Sequence, residues 1–212
     1  MTDLSINPDL VVWSAAPGAR HQHPLVLVMH GRGADEHDLA SLFALLPTGF
    51  VYASLRAPHS YGTGFAWFDD TVEQPGSPRL SSADTMADAV LAWVRHLPWQ
   101  PTTVGTLGFS QGGAMAVHLL RQGRGIVSFA ANMSGFVVAG PHPSDASLAL
   151  DPPPAYWGRG SADPFFTPEL VHRAETWLPA HTKLTSAVYP GLGHSVSDDM
   201  LRDVGDFLRA RL

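Results

Sequence analysis

The sequence predicts an α/β fold built on a mainly parallel, doubly wound sheet with helices on both faces. Segments with strand character and segments with helical character alternate along the 212 residues, and this alternation is typical of such sheets. One segment, 25–30 (LVLVMH), is a continuous apolar run of the kind found in a strand buried on both faces. The polar residues that stand out follow strands directly, and parallel strands bring their carboxyl ends to one edge of the sheet.

Short apolar runs in the first half of the chain indicate strands, and apolar residues at helical spacing indicate helices. The connection 56–80 is aromatic and has little regular pattern, and a connection of this length is usually functional or mobile. The expected elements are an edge strand at 10–13, a buried strand at 25–30, a short helix at 38–46, a strand at 50–55 and a helix to about residue 97 that Ser82 or Asp84 caps.

The second half of the chain continues the alternation. Residues 136–153 are rich in proline and indicate a loop, and Gly205 locally weakens the last helix. No internal repeat or linker interrupts the pattern, so we expect one domain over residues 1–212. The expected elements are a strand at 102–107, a helix at 114–120, strands at 126–133 and 155–158, a helix at 168–178, a strand at 183–189 and a helix at about 197–211.

The composition excludes several classes of protein. A formal net charge of −6 argues against a general nucleic-acid binder, and the lack of cysteine excludes disulfides, thiol catalysis and cysteine-ligated metal. No apolar run approaches the length of a membrane span, and the first residues lack the basic and apolar regions of a signal peptide. We therefore expect a cytoplasmic monomer or homodimer with no stable membrane insertion.

Residues 108–112, Gly-Phe-Ser-Gln-Gly, match the Gly-x-Ser-x-Gly pattern of a nucleophile elbow. A predicted strand precedes the motif and a predicted helix follows it, which is the context that the motif requires. The residues two before and two after the serine must lack bulk, because the turn is tight and its backbone strained. The turn places Ser110 at a helix N-terminus, which favours developing negative charge. The alternative is a chance glycine-serine turn before a helix.

A serine hydroxyl is a weak nucleophile unless a general base, an orienting acid and an oxyanion hole accompany it. Asp163 follows the strand predicted at 155–158, and His194 lies in a glycine-rich turn before the last helix. Ser110, Asp163 and His194 thus occur in the order serine, acid, histidine that is found in α/β-hydrolases. The alternative for His194 is a surface or helix-capping role.

With these motifs the chain resembles the carboxylesterase/phospholipase family of small α/β-hydrolases, the group that includes acyl-protein thioesterases. The resemblance implies an α/β-hydrolase fold, and the proline-rich loop between the strands near Met133 and Tyr156 leaves no room in the sequence for a large lid domain. It implies that Ser110 is the nucleophile, Asp163 the acid and His194 the base, and that the backbone N–H groups of Arg32 and Gln111 form the oxyanion hole. The sequence around Arg32 resembles the bacterial esterase branch. The matching stretches are 29–33 (MHGRG), 67–69 (WFD), 108–114 (GFSQGGA), 160–163 (GSAD) and 189–194 (YPGLGH).

The activity that the resemblance implies is hydrolysis of short- to medium-chain carboxylic esters through an acyl-enzyme on Ser110. The partner would be a small-molecule ester, and the chemistry needs no cofactor and no metal. Acyl-thioesterase and lysophospholipase activities are the alternatives among enzymes. From another class, the alternative is a hydrolase-fold binding protein without turnover, although such a protein would be expected to lose a member of the triad.

Two polar features lie near the expected oxyanion loop. His30 precedes that loop, and we expect its side chain to hold the loop by hydrogen bonds rather than to take part in the chemistry. The run 35–38 (DEHD) indicates a solvated helix N-terminus, where acidic side chains suit the helix dipole, and a metal site is the alternative.

Aromatic and apolar residues around the motifs are candidates for substrate binding. Phe65 and Trp67, in the aromatic connection, are expected to form walls of an acyl pocket, because apolar aromatic side chains mark small-molecule sites. The alternative is that they only pack the connection onto the domain. Phe165 and Leu192 adjoin triad residues in the chain and are further candidates.

Overall fold

The computed structural model describes residues 4–68 and 78–212. The strands, in chain order, are β1 Val12–Trp13, β2 Leu25–Met29, β3 Val51–Leu55, β4 His59–Tyr61, β5 Gly64–Ala66, β6 Val104–Phe109, β7 Val127–Met133, β8 Pro154–Gly160 and β9 Lys183–Tyr189. Seven of them form one sheet in the order β1-β3-β2-β6-β7-β8-β9, and β4 and β5 form a separate hairpin. Strand β1 is an antiparallel edge strand, as predicted, and the other pairings in the large sheet are parallel.

Strand β2 lies inside the sheet, between β3 and β6. All five of its residues are buried, and alternate residues enter two different hydrophobic cores, as the continuous apolar run predicts. At its carboxyl end Met29 pairs with Leu55 on one side and Gly108 on the other. The carboxyl ends of these strands therefore lie side by side at one edge of the sheet, where the predicted site residues follow them.

Helices cover both faces of the sheet, which confirms the predicted α/β fold class. Buried residues of the first two α-helices join one core, and those of the last α-helix join the core on the opposite face. Among the residues that the structure describes, no helix combines the length and the apolar character needed to cross a bilayer. The α-helices are α1 Leu80–Arg95, α2 Gln111–Gln122, α3 Asp145–Leu150, α4 Pro168–His181 and α5 Asp198–Arg209.

Several elements differ from the sequence prediction. The helix expected at 38–46 is a 3-10 helix over Leu39–Leu45. Helix α1 begins at Leu80, before the predicted caps, and has no side-chain cap at its N-terminus. The connection predicted to be irregular contains the β4–β5 hairpin, whose pairing depends on contacts with a distant loop that local sequence does not reveal.

The proline-rich segment 136–153 was expected to be a loop, but it contains helix α3. The buried guanidinium of Arg121, on α2, donates to both carboxylate oxygens of Asp145 at 2.6 Å and to the carbonyl oxygen of Gly140 at 2.7 Å. Charge-assisted bidentate bonds of this kind hold a segment in place more firmly than neutral hydrogen bonds do. This tertiary pairing holds α3 against α2.

A buried histidine makes the stability of this fold depend on pH. His118, on α2, contacts Asp84 of α1 at 2.8 Å, and burial lowers the pKa of His118 from 6.5 to about 4. Between these two values the unfolded chain binds a proton on His118 that the folded chain does not. His118 therefore lowers stability as the pH drops from about 6.5 towards about 4, and it contributes up to about 1.4 kcal/mol per pH unit to the slope. Urea titrations across this range measure the slope.

The variant His118→Gln should remove this contribution and reduce the slope, because glutamine keeps an N–H donor for Asp84 but does not titrate. His172, exposed on α4, is the matched control, and His172→Gln should leave the slope unchanged. The assignment would be contradicted if both variants retained the full slope of the wild type.

Candidate active site

Ser110 occupies the turn between β6 and α2 in a strained backbone conformation. Its φ is 56° and its ψ is −119°. Residues other than glycine rarely adopt a positive φ. The Ser110 N–H donates to the carbonyl oxygen of Met133 on β7 at 2.9 Å, and the Ser110 carbonyl accepts from the Ala114 N–H at 3.0 Å. Hydrogen bonds on both sides of the residue hold the strain in place.

The glycines of the motif are required by close backbone packing, as the sequence predicts. A Cβ at Gly108 would collide with the carbonyl group of Gly112, and a Cβ at Gly112 would collide with the carbonyl oxygen of Met29. Helix α2 can therefore approach the end of β2 only because no side chain separates them. The packing sets the position of Ser110 relative to the loop that follows β2.

Two loops bring Asp163 and His194 together. The first follows β8 and the second follows β9, and the two strands are parallel neighbours. The Ala162 N–H donates to the carbonyl oxygen of Leu192 at 3.0 Å, and the Gly191 N–H donates to Ser161 Oγ at 2.9 Å. These bonds between the loops continue the pairing of the strands up to the predicted acid and base.

The three predicted triad side chains form one line of hydrogen bonds. His194 Nδ1 lies 2.7 Å from Asp163 Oδ2, and His194 Nε2 lies 2.8 Å from Ser110 Oγ. An ionised carboxylate only accepts hydrogen bonds, so the imidazole carries its proton on Nδ1. The lone pair of Nε2 then faces the serine hydroxyl, which donates to it.

Asp163 and His194 are held in different surroundings. The Asp163 side chain is fully buried, and its Oδ1 accepts from the Phe165 N–H at 3.0 Å. The imidazole of His194 packs against the rings of Phe109 and Phe165, with centroid distances of 4.9 and 4.7 Å. The carboxylate thus orients the ring from within the protein, and the two aromatic rings limit its tilt.

The loop after β2, which holds Arg32, is fastened from two sides. His30 is fully buried, its Nδ1 donates to the Gly31 carbonyl at 2.7 Å, and its Nε2 accepts from the Ala57 N–H at 3.1 Å. Burial lowers the pKa of His30, which favours the neutral ring that this pattern requires. From the hairpin, Phe65 exchanges backbone hydrogen bonds with Gly33 and Ala34, at 2.8 and 2.9 Å. His30 thus holds the loop as predicted.

The two residues predicted to supply oxyanion donors belong to two different segments at this edge of the sheet. Arg32 belongs to the loop after β2, and Gln111 is the first residue of α2. A trans peptide unit directs its C=O and N–H in opposite directions, so the bond that His30 makes to the Gly31 carbonyl also fixes the direction of the Arg32 N–H. The sequence did not indicate that the Gln111 side chain is buried and bonded as well.

Trp67 and Phe65 are not placed as predicted. The Trp67 side chain has no exposed surface, because its indole belongs to a hydrophobic core and donates to the His30 carbonyl. It therefore offers no wall to an acyl chain in this structure, and that expectation was wrong. The ring of Phe65 lies 4.4 Å from the Arg56 guanidinium and faces a cavity of about 460 Å³ that contains none of the three triad residues.

Phe165 and Leu192 remain candidates for substrate contact. Phe165 is 58% exposed, and its ring packs edge-on against the His194 imidazole. Leu192 is partly buried two residues before His194 in the same loop. An apolar surface beside the predicted base is therefore open to solvent.

The acidic run after the loop is not simply a solvated helix N-terminus. Glu36 is 2% exposed, and both of its carboxylate oxygens accept hydrogen bonds from Arg56 at 2.5 Å. The run matched the pattern of a surface helix, but Arg56 comes from the end of β3 and was not visible as its partner. Asp35 Oδ1 accepts from the His37 N–H. Within residues 4–68 and 78–212, no group of three or more His, Asp or Glu residues is arranged to hold a metal ion.

Asn132 is a buried polar residue near the elbow that the sequence pattern did not single out. It is fully buried on β7, its Oδ1 accepts from the Gly135 N–H at 2.7 Å, and its Nδ2 donates to the Gly135 carbonyl at 3.1 Å. A Cβ at Gly113 would collide with the same Oδ1, so Asn132 also borders helix α2. Its signal was a lone amide near the end of an apolar strand, and buried amides are normally paired.

Comparisons with known proteins agree with this architecture. A family model described as phospholipase/carboxylesterase matches residues 12–212. Similar solved structures include a carboxylesterase from Mesorhizobium loti, with 21% identity, 98% of this chain and 99% of that chain covered, and a TM-score of 0.79. Esterase PE8 has 24% identity, 99% and 100% coverage and a TM-score of 0.77. Acyl-protein thioesterase 2 of Zea mays has 22% identity, 94% and 97% coverage and a TM-score of 0.71. No curated protein matches the sequence.

The packing of α2 against the loop after β2 leads to a test with two helical glycines. Gly112→Ala should destabilise the fold by about 1–3 kcal/mol, because its Cβ collides with the carbonyl oxygens of Met29 and His30. The matched control is Gly205→Ala in α5, where a Cβ would lie 3.4 Å from the flexible end of Arg209. There alanine should raise stability by up to about 1 kcal/mol, because it favours helix. Urea unfolding measures both, and effects of the same sign would contradict the packing argument.

Proposed function

The chain belongs to the phospholipase/carboxylesterase family, and we propose that it is a serine carboxylesterase that hydrolyses short- to medium-chain esters through an acyl-enzyme on Ser110. The observation that supports this most directly is the line of hydrogen bonds from Asp163 through His194 to Ser110, at 2.7 and 2.8 Å. In that line each group has the partner that nucleophilic catalysis by serine needs.

In the proposed reaction the hydroxyl of Ser110 attacks the ester carbonyl carbon while His194 Nε2 takes its proton. The bond to the alcohol oxygen then breaks, and His194 returns the proton to that oxygen as the alcohol leaves. Water attacks the acyl-enzyme with the same base and releases the acid. Asp163 keeps the proton of the neutral imidazole on Nδ1 and stabilises the imidazolium when Nε2 also binds one.

The backbone N–H groups of Arg32 and Gln111 are assigned to the oxyanion that forms in each step. The position of Gln111 at the start of α2 supports this assignment, since the N-terminus of a helix favours negative charge. The Arg32 N–H lies in the peptide unit whose carbonyl His30 holds. Donors fixed in advance stabilise developing charge without having to reorganise during the reaction.

Substrate length is assigned from the surroundings of His194. Phe165 is exposed beside the imidazole, and Leu192 lies in the same loop. Between β7 and β8 the chain forms only the short helix α3, which leaves no large domain there to cover the site. With few apolar side chains beside the base and no covering domain, the site is expected to suit short or medium acyl groups. The same acyl-enzyme chemistry would act on thioesters, so hydrolysis of a short-chain thioester should be measured beside that of the matching ester.

Substitutions in the triad test the mechanism. Ser110→Ala and His194→Ala should each lower kcat for p-nitrophenyl butyrate by roughly a thousandfold or more, and Asp163→Asn should also be severe because an amide does not stabilise the imidazolium. Ser128→Ala is the control, because Ser128 is exposed on the same sheet at the opposite end of β7. Circular dichroism checks that each variant is folded.

The outcome of labelling separates an enzyme from a binding protein. A fluorophosphonate should modify the wild type at Ser110 and leave Ser110→Ala unmodified, whereas a binding protein without turnover would not be labelled. Hydrolysis by a correctly folded Ser110→Ala variant at the wild-type rate would refute the proposed nucleophile.

The exposed ring of Phe165 provides a test of acyl-chain selection. Phe165→Ala should change the ratio of kcat/KM for butyrate and decanoate esters by about tenfold, since a contact with a few methylene groups is lost. Activity on the preferred ester should persist, because the triad is retained. Leu150→Ala is the matched control, as Leu150 is an exposed apolar residue on α3. If the two variants gave the same ratio, Phe165 would have no part in acyl binding.

A further inference from the structure

Trp67 connects the two elements to which the oxyanion donors are assigned. Its indole Nε1–H donates to the His30 carbonyl at 2.9 Å, and its backbone N–H donates to Gln111 Oε1 at 2.7 Å. The residue is fully buried, and the two acceptors belong to the loop after β2 and to the first turn of α2. One rigid aromatic residue therefore makes a hydrogen bond to each element.

We propose that Trp67 is a positioning residue of the oxyanion hole, whose two N–H groups set the spacing between the backbone N–H groups of Arg32 and Gln111. This inference rests on the proposed function, because it assumes that these two groups bind the oxyanion. It assigns to Trp67 an effect on the transition state, without any contact with the substrate.

Regular strand pairing does not set that spacing. The pairing between β2 and β6 ends at Met29 and Gly108, so the hydrogen bonds between these strands stop before Arg32 and Gln111. Beyond that point the loop continues through His30 and the elbow continues through Ser110. The hydrogen bonds of Trp67 lie beyond the last pair of residues between β2 and β6. They connect the loop to the first turn of α2 where the strands are no longer paired.

On the loop side, the connection from Trp67 to the donor is short and stiff. The indole holds the carbonyl of His30, and the His30 ring holds the carbonyl of Gly31 at 2.7 Å. The rings of His30 and Trp67 also pack together, with centroids 5.5 Å apart. Two consecutive peptide planes are thereby oriented, and the second contains the Arg32 N–H.

On the helix side, the Gln111 side chain makes the connection. Its Oε1 accepts from Trp67, its Nε2 donates to the Phe68 carbonyl at 3.3 Å, and the side chain is buried. With both ends of the amide bonded to residues 67 and 68, the first residue of α2 cannot shift relative to Trp67 without breaking buried hydrogen bonds. Small displacements of a donor matter because it must lie within hydrogen-bond distance of the developing oxyanion.

The decisive variant is Trp67→Phe, which removes the indole N–H and keeps an aromatic ring and the backbone N–H. With p-nitrophenyl butyrate, kcat should fall by about tenfold to a hundredfold, while KM changes little. This decrease is no larger than the decrease in kcat that follows when one oxyanion donor is removed altogether. Affinity for a trifluoromethyl ketone, which forms an oxyanion on the serine, should fall by a similar factor. The acidic limb of the kcat/KM profile against pH should stay in place, because His194 and Asp163 are untouched.

A matched control separates positioning from a general loss of stability. Tyr52→Phe also removes one buried hydrogen bond from an aromatic side chain to a main-chain carbonyl, the 2.7 Å bond to Pro47, in the core on the other face of the sheet. It should lower the free energy of unfolding and leave kcat and inhibitor affinity unchanged. Gln111→Met, which breaks the same connection from the helix side, should reproduce the kinetic pattern of Trp67→Phe and serves if that variant does not fold.

The results distinguish this inference from the proposed function. A wild type that neither hydrolyses esters nor reacts with a fluorophosphonate overturns both. An active wild type with unchanged kcat and inhibitor affinity in Trp67→Phe or, where that variant does not fold, in Gln111→Met overturns the positioning role alone. That role is also overturned if the pH profile shifts, since the effect would then act through the triad, or if Tyr52→Phe produces the same kinetic loss.

Discussion

Ser110 has a backbone conformation at positive φ that costs free energy, and the elements around it hold it there. The N–H of the serine is bonded to β7, and its carbonyl begins the hydrogen bonding of α2. Gly108 and Gly112 are glycines because their neighbours are main-chain atoms at contact distance. The sheet register places the end of β2 beside this turn. A hydroxyl raised above the sheet edge is thus the result of packing in three neighbouring strands and one helix.

Four buried polar side chains near that turn, those of Asp163, His30, Gln111 and Asn132, have partners that give them a direction. The carboxylate of Asp163 accepts from His194 and from a backbone N–H. The imidazole of His30 and the amides of Gln111 and Asn132 bond to main-chain groups of the neighbouring loops. Burying such groups is costly unless their hydrogen bonds are satisfied, and satisfied groups have few alternative arrangements. The geometry around Ser110 is therefore specified by polar contacts that the hydrophobic cores alone would not select.

Local sequence was informative where chemistry restricts the residue type at a short spacing. The close packing around Gly108 and Gly112 was predicted because only glycine fits a tight turn of this kind. The order of Ser110, Asp163 and His194 along the chain also indicated a triad before any coordinates were known. The roles of Trp67 and Glu36 were misread. Trp67 matched the pattern of an aromatic connection, and Glu36 matched that of an acidic run. Each is in fact buried and bonded to a residue distant in the chain, Trp67 to His30 and Glu36 to Arg56. Hydrogen bonds and ion pairs over such separations leave no periodic trace in the sequence.

The sequence by itself determined the alternation of strands and helices, the burial of β2 on both faces and the strand ends at which the candidate residues appear. These features follow from residue periodicity and from steric limits, which act over a few positions. Only the tertiary structure decided how the loops after β2, β6, β8 and β9 approach one another, which tautomer His194 adopts and that Trp67 lies inside the protein. Such features depend on the packing of segments far apart in the chain, where shifts of less than an ångström decide whether two groups are hydrogen-bonded.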